Sequence, residues 1–342
     1  MDVAKLVMKE YPLNVKKVSL LSDKGKKAVW LILAGSKKFI LKKVPIREGR
    51  LRFMTHAIQF MKNNGVRTPQ VIKTKKGRSY VRLDEQYFVL FEAITGKKPS
   101  YQKRKQLQKI VLGLATFHKA STGINIPIHS EPSILLGGWR DEFIRRHQLM
   151  KSWKVERSHA SSHNEFDQQF LNHVDFFLTQ CEKAIDILDE SYYVDWNERT
   201  KRMKMLCHQD FAAGNLMLDD EGNLHVFDMD SLTIDLPARD IRKILNKVMK
   251  KQEEWNLDLM IEMMMHYQKV NPLSKEQYEV VLADLLFPHL FYGQISKYYG
   301  KETKEWSEEK HLQRLIDTIK LETSKEHIIR LFQDHLDENN GL

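Results

Sequence analysis

Residues 207–230 read CHQDFAAGNLMLDDEGNLHVFDMD, and they set His208, Asp210, Asn215 and Asp228 in an order suited to moving a phosphoryl group. In H-x-D-x-x-x-x-N, one carboxylate can orient an attacking hydroxyl and the amide oxygen that follows can hold Mg²⁺, while a second carboxylate returns on the next strand. Leu206 and Cys207 are apolar and lead into a polar turn, after which Leu216, Met217 and Leu218 make a short buried strand. Residues 219–223, DDEGN, are a hairpin turn by composition, with Gly222 able to take positive φ. Leu224, Val226 and Phe227 then return as a second strand and bring Asp228 back beside Asn215. A hard cation prefers carboxylate, amide oxygen and phosphate ligands, the set that Asn215, Asp228 and a nucleotide provide. Polar residues capping a hairpin would explain the turn, but not Asp210, Asn215 and Asp228 together.

The remainder of the chain is long enough to carry such a site on a large core. It has 342 residues, of which 42% are hydrophobic, a size that suggests two domains or lobes. Two cysteines, Cys181 and Cys207, make neither a disulfide framework nor a zinc spacing, which suits synthesis in the reducing cytoplasm. The longest uninterrupted apolar run, residues 28–34, is only strand-sized, so no signal peptide or membrane span is expected. The net charge of +10 is uneven: residues 1–100 hold 23 Lys/Arg against 7 Asp/Glu, and the rest 32 against 38. Opposite signs in the two parts can help hold a polyphosphate or dock an acidic partner, although lysine-rich solvated surface gives the same count. No basic patch is interleaved with aromatics as in a nucleic-acid module, so a nucleic-acid partner is not expected.

Working outward, residues 16–21, 28–33 and 38–44 read as three strands broken by turns at Gly25 and Gly35. Residues 50–64 place Leu51, Met54, Ile58 and Met61 at helical spacing, and Gly65 follows as a stop. Two more strands, 79–83 and 87–91, complete a five-stranded antiparallel sheet with one helix, a small α+β lobe. Gly96 and Pro99 mark a change of composition near residues 93–98; helices follow over 104–119, over 139–205 with a loop at 158–164, and after Asp240.

With these motifs in place, the chain resembles the aminoglycoside phosphotransferase and choline kinase superfamily, which shares the protein-kinase fold, and more narrowly the CotS family of spore coat proteins. The resemblance implies an α+β, protein-kinase-like two-lobed fold: an antiparallel five-stranded nucleotide-binding lobe over residues 1–95 and a mostly helical catalytic and substrate lobe over 96–342. It implies ATP and Mg²⁺ as cofactors, a small hydroxylated or saccharide substrate, other spore coat proteins as partners, and a place in the spore coat. Asp210 would orient the acceptor hydroxyl and His208 would organise the catalytic loop. Asn215 and Asp228 would hold Mg²⁺, and Asp230 would reach a second Mg²⁺ or support the loop. Lys42, after Phe39, Ile40 and Leu41, resembles the strand-three lysine that contacts phosphates, and Lys43 points to the opposite face. Glu92 and Ala93 fall at the hinge, where main-chain groups would meet the adenine edge. Asp240 resembles an aspartate that braces the catalytic loop from a helix start.

One position departs from the superfamily pattern, and two features set the chain apart from protein kinases. The helix position expected to give Lys42 a glutamate holds His56, and the nearest acid at that helix start is Glu48. The loop at residues 22–27 has a single glycine, Gly25, and solvated lysines Lys24, Lys26 and Lys27. Only eleven residues separate Asp228 from Asp240, which leaves no room for a long activation segment. A small hydroxylated acceptor therefore suits the chain better than a protein. The rival expectations are a coat protein that keeps the fold without turnover, and a kinase acting on coat proteins.

Overall fold

A computed structural model of the chain describes residues 3–300, 305–339 and 341–342. Two compact units emerge, Met1–Ile134 with Met203–Ile234, and Leu135–Arg202 with Asp235–Leu342.

The first unit carries α1 (Val3–Met8), β1 (Val15–Asp23), β2 (Ala28–Ala34), β3 (Lys37–Val44), α2 (Glu48–Asn63), β4 (Val81–Leu83), β5 (Gln86–Glu92) and α3 (Arg104–Ser121). The strands form one antiparallel sheet in the order β1-β2-β3-β5-β4, as the strand reading expects. Side chains alternate across a strand, so Trp30, Ile32, Phe39, Leu41, Phe88 and Leu90 fall on one face and pack with Ala4, Val7, Met8 and Tyr11 from α1 and its exit. The alternate residues face the other way. Val29 lies opposite Lys42, Ile40 opposite Phe91, and Lys42 opposite Val89, which gathers a lysine into an apolar wall. Along α2, Leu51, Met54, Ala57, Ile58 and Met61 are buried, the helical stripe that the sequence suggests.

The same unit contains β6 (Ser133–Ile134), β7 (Leu206–Cys207), β8 (Leu216–Leu218), β9 (Leu224–Val226) and β10 (Thr233–Ile234). β8 and β9 form the expected hairpin. β10 joins β6 in parallel and β7 antiparallel, a three-stranded sheet of two-residue strands.

The second unit is helical: α4 (Trp139–Ser158), α5 (Glu165–Glu190), α6 (Tyr193–Met203), α7 (Ala238–Gln252), α8 (Leu257–Gln268), α9 (Lys275–Leu286), α10 (His289–Tyr299), α11 (Glu308–Thr323) and α12 (Lys325–Glu338). Aromatic stacking closes its core, with Phe143 on Phe287 at 4.1 Å and Phe177 on Phe291 at 3.9 Å between centroids. One polar network is buried there. Asp284 accepts from Arg242 Nε at 2.8 Å and from His289 Nε2 at 2.8 Å. Arg146 faces His289 Nδ1 at 3.1 Å; a guanidinium only donates, so the ring proton sits on Nε2. Burial, with Arg242 nearby, pushes the His289 pKa far down, so the ring stays neutral. Among the described residues, no helix is long and apolar enough to cross a membrane.

Candidate active site

The hairpin does the positioning. Leu216 pairs with Val226 and Leu218 with Leu224, and Phe227 N–H donates to Asn215 O at 3.1 Å, which puts Asp228 one residue beyond a direct bond to Asn215. The turn holds because the Asp219 carboxylate accepts from Asn223 N–H at 2.8 Å, Glu221 N–H at 3.1 Å and His225 Nε2 at 2.9 Å. The His225 bond is the largest of the causes that pull the Asp219 pKa well below the carboxylate range. Gly222 takes the turn's positive φ of 80°.

Asp210 and Asn215 meet directly. Asn215 Nδ2 donates to Asp210 Oδ2 at 2.8 Å and to Asp210 O at 3.0 Å. Two acceptors fix which end of the amide is nitrogen, so Asn215 Oδ1 is the end left to act as a ligand. His208 is fully buried. Its Nε2 donates to Phe227 O at 3.1 Å and its Nδ1 accepts from Asp210 N–H at 3.3 Å, an assignment that needs a neutral ring. It lies edge-on between Phe117 and Phe211, at 5.6 and 5.7 Å. His208 thus ties the loop before Asp210 to the strand before Asp228.

Both later aspartates carry a lysine. Lys42 Nζ bonds Asp228 Oδ1 at 2.9 Å, and Lys27 Nζ bonds Asp230 Oδ2 at 3.2 Å. Arg50 donates to Leu232 O at 3.0 Å, just past Asp230. Asp228 itself is left-handed, with φ 64° and ψ 59°, a conformation that non-glycine residues rarely hold and that turns its carboxylate out of the strand.

The helix expected to answer Lys42 is turned elsewhere. His56 Nε2 lies 3.0 Å from Asn125 Oδ1. Glu48 accepts from Tyr80 OH at 2.5 Å and from Arg52 at 2.6 Å, and these two bonds lower its pKa. The α2 residue on the wall around Lys42 is Ile58.

Lys42 opens on a cleft of about 280 Å³ whose wall also includes Val29, Ile40, Phe91, Met217 and Asp228. Just beyond its lining residues Ile94 and Met217 the chain makes a close approach: Lys97 N–H donates to Leu218 O and Leu218 N–H to Lys97 O, each at 2.8 Å. Gly96 makes this possible, since a Cβ there would lie 2.1 Å from Leu218 O and the residue's φ is 155°. Glu92 lines the cleft, but its N–H donates to Gln70 O at 2.9 Å, and Ala93 N–H donates to Lys38 O at 3.1 Å. The Glu92 N–H is thus taken by the segment after α2 and the Ala93 N–H by β3.

Three residues carry no sequence signal for their places. Tyr101 accepts from Ala213 N–H at 2.8 Å in the catalytic loop, and its pKa is raised chiefly by burial. Arg50 and Lys27 sit in a helix start and a hairpin turn that resemble many others. Asp240 is buried in the first turn of α7, where a carboxylate favours the helix dipole.

A five-stranded sheet with a lysine on its third strand, joined to an Asp-Asn-Asp hairpin, defines a kinase-like phosphotransferase fold. The structure aligns with the aminoglycoside phosphotransferase of Alicyclobacillus acidocaldarius at a TM-score of 0.81 and 16% identity, covering 98% of this chain and 95% of that one. Spectinomycin phosphotransferase, solved with ADP and spectinomycin, follows at a TM-score of 0.65 and 13% identity, covering 95% and 97%. Within that fold, the family described as "Spore coat putative kinase YutH" matches residues 4–332, and the chain belongs to it. It is 33% identical to Spore coat protein S of Bacillus subtilis (strain 168) over 330 residues, covering 94% of this chain and 92% of that protein.

Proposed function

We propose that this chain is an ATP- and Mg²⁺-dependent phosphotransferase of the spore coat whose acceptor is a hydroxyl of a small molecule or saccharide. The observation that carries the reading is the direct bonding of Asp210 to Asn215 and of Asn215 to the strand that ends at Asp228. Asn215 Oδ1, Asp228 and Asp230 offer the hard oxygen donors that Mg²⁺ takes, so the residues fit that ion. Held by these residues, the ion would supply positive charge against that of the phosphates. Asp210, its carboxylate held by Asn215, would orient the acceptor hydroxyl and take its proton. Lys42 would hold phosphate oxygens as a point charge. The apolar wall of Val29, Ile40 and Phe91 suits a purine, and with the Glu92 and Ala93 N–H groups donating to Gln70 O and Lys38 O, the donor to its edge would be Ile94, which also lines the cleft. Support for the nucleotide and the small acceptor also comes from the spectinomycin phosphotransferase fold, solved with ADP and spectinomycin. Support for the coat comes from Spore coat protein S.

A second reading, a coat component that does not turn over, is favoured by one observation: α2 gives Lys42 no carboxylate. A thermal-shift titration with Mg²⁺ and ATP separates the two. Stabilisation at millimolar nucleotide, followed by phosphorylation of candidate sugars in single-turnover assays and its loss in Asp210→Ala, is expected. No stabilisation sinks the enzyme reading.

A further inference from the structure

On the first unit, away from the Lys42 cleft, lies a groove of about 1,070 Å³. One wall is α2, which contributes Glu48, Arg52, Thr55, His56 and Gln59. These recur at the three- and four-residue spacing of a single helix face. The facing wall includes every residue from 79 to 83. Alternate side chains of a strand point to opposite faces, so the presence of all three residues of β4, Val81, Arg82 and Leu83, on one wall means that the wall is the strand's edge. Val81 makes the point, because its side chain belongs to the sheet's core. β4 is the terminal strand of the sheet, and among the described residues no strand lies on its outer side.

The groove is also positively charged. Lys9, Arg52, Lys73, Lys76, Arg78 and Arg82 line it against the carboxylates of Glu10 and Glu48. Arg52 is paired with Glu48 and Arg82 with Glu85. Among the described residues, Lys9, Lys73, Lys76 and Arg78 are in no ion pair, and Lys73 bonds only the Ser79 hydroxyl, at 2.6 Å. On the lip stands Ile128, 84% exposed, a large apolar side chain with nothing over it.

We infer that this groove docks an extended acidic peptide of a partner protein, which adds as a strand to the edge of β4. A strand lying there satisfies the outer backbone groups of β4 and presents alternate side chains to its two sides. Carboxylates on one side meet Lys73, Lys76 and Arg78, and apolar side chains on the other reach Ile128. A nucleic-acid strand fits less well. Glu10 and Glu48 interrupt a phosphate track, and the two aromatic rings on the walls are tied down, Tyr80 through its hydroxyl to Glu48 and His56 through Nε2 to Asn125, rather than open for stacking.

The test uses the full chain and a labelled peptide of about eight residues alternating Glu with Val, slightly longer than an ordinary strand. Fluorescence anisotropy is expected to show binding that weakens about ten-fold or more in the exposed triple variant Lys73→Glu/Lys76→Glu/Arg78→Glu. The same peptide N-methylated at alternate residues, which cannot make the edge ladder, is expected to lose binding to a similar degree. Nucleotide-dependent thermal shift serves as the folding control and should not change in the variant, so failure here and failure of the phosphotransferase reading are told apart. Equal affinity for the reversed variant overturns the docking site. Equal affinity for the N-methylated peptide overturns strand addition, and displacement by an oligonucleotide at matched charge reduces the groove to general attraction for polyanions.

Discussion

The two sides of the Lys42 cleft are built on different plans. On the hairpin side, polar groups needed for phosphoryl transfer lie within 24 residues of sequence, and neighbouring backbone bonds hold them. On the sheet and helix side, Lys42 is in place, but α2 sends its acid and its histidine outward to Tyr80, Arg52 and Asn125. Lys42 turns instead to Asp228 across 186 residues of chain. The difference teaches that an ordered lysine does not need the helix glutamate. A carboxylate from the hairpin side holds it instead, and under the proposed function that one residue would couple phosphate contact to metal binding.

The largest effect should come from the hairpin side. Asp210→Ala removes the group proposed to take the acceptor's proton, and general-base losses run to about 10²–10⁴ in rate. Turnover is expected to fall by that much while ATP still raises Tm; equal losses of binding and turnover would mean that Asp210 supports the fold rather than the chemistry.

Across the cleft, Lys42→Ala should give effects of opposite sign. Under the proposed function the substitution removes a phosphate contact, so affinity for the Mg²⁺–nucleotide complex is expected to drop about ten-fold, in line with loss of a charge-assisted bond. It also frees Asp228 from its lysine, so Mn²⁺ alone, followed by electron paramagnetic resonance, should bind several-fold more tightly than to the parent. If both affinities fall, Lys42 and the metal do not compete for Asp228.

Where the two sides touch, Gly96 is the joint. Ala at this position puts a methyl group 2.1 Å from Leu218 O at a φ of 155°, so the Lys97–Leu218 pair must open. A loss of about 2–4 kcal/mol is expected, the range of severe point substitutions, read as a lower midpoint in urea together with weaker nucleotide binding. A Gly96→Ala protein of parental stability would show that the two walls are not rigidly joined.

This contrast also marks what the sequence could tell. The hairpin was legible because turn chemistry, strand alternation and ligand type all act over a few adjacent residues, and Lys42 was legible as an inward position after an apolar triplet. The partner of Lys42 was not, because it depends on a contact between distant parts of the chain. For α2, the apolar stripe through Leu51, Met54, Ile58 and Met61 could be read, but not which flank meets the cleft. One residue turns a helix by about 100°, so a shift of two positions separates His56 on the far groove from Ile58 on the cleft wall. At the hinge, Glu92 and Ala93 were identified from an apolar strand followed by glycine, whereas the use of their N–H groups follows from pairing with Lys38 and Gln70, which no local pattern records. The two-residue strands β6, β7 and β10 are too short to show any period, and α1 spans only six residues.

The smallest expected effect is the sharpest check on this account of α2. If the missing acid at position 56 limited the site, His56→Glu would restore a lysine partner and tighten nucleotide binding. His56 instead lines the groove beside Arg52, so the new carboxylate would find Arg52 and the unpaired cations across from it, not Lys42. Nucleotide affinity is therefore expected to stay within about two-fold of the parent, the scale of an ordinary surface substitution. Glu48→Gln should likewise leave it unchanged, because that carboxylate serves Tyr80 and Arg52. A ten-fold gain in His56→Glu would mean that α2 rotates toward the cleft when nucleotide binds, and the helix would then have to be counted with the site rather than with the groove behind it.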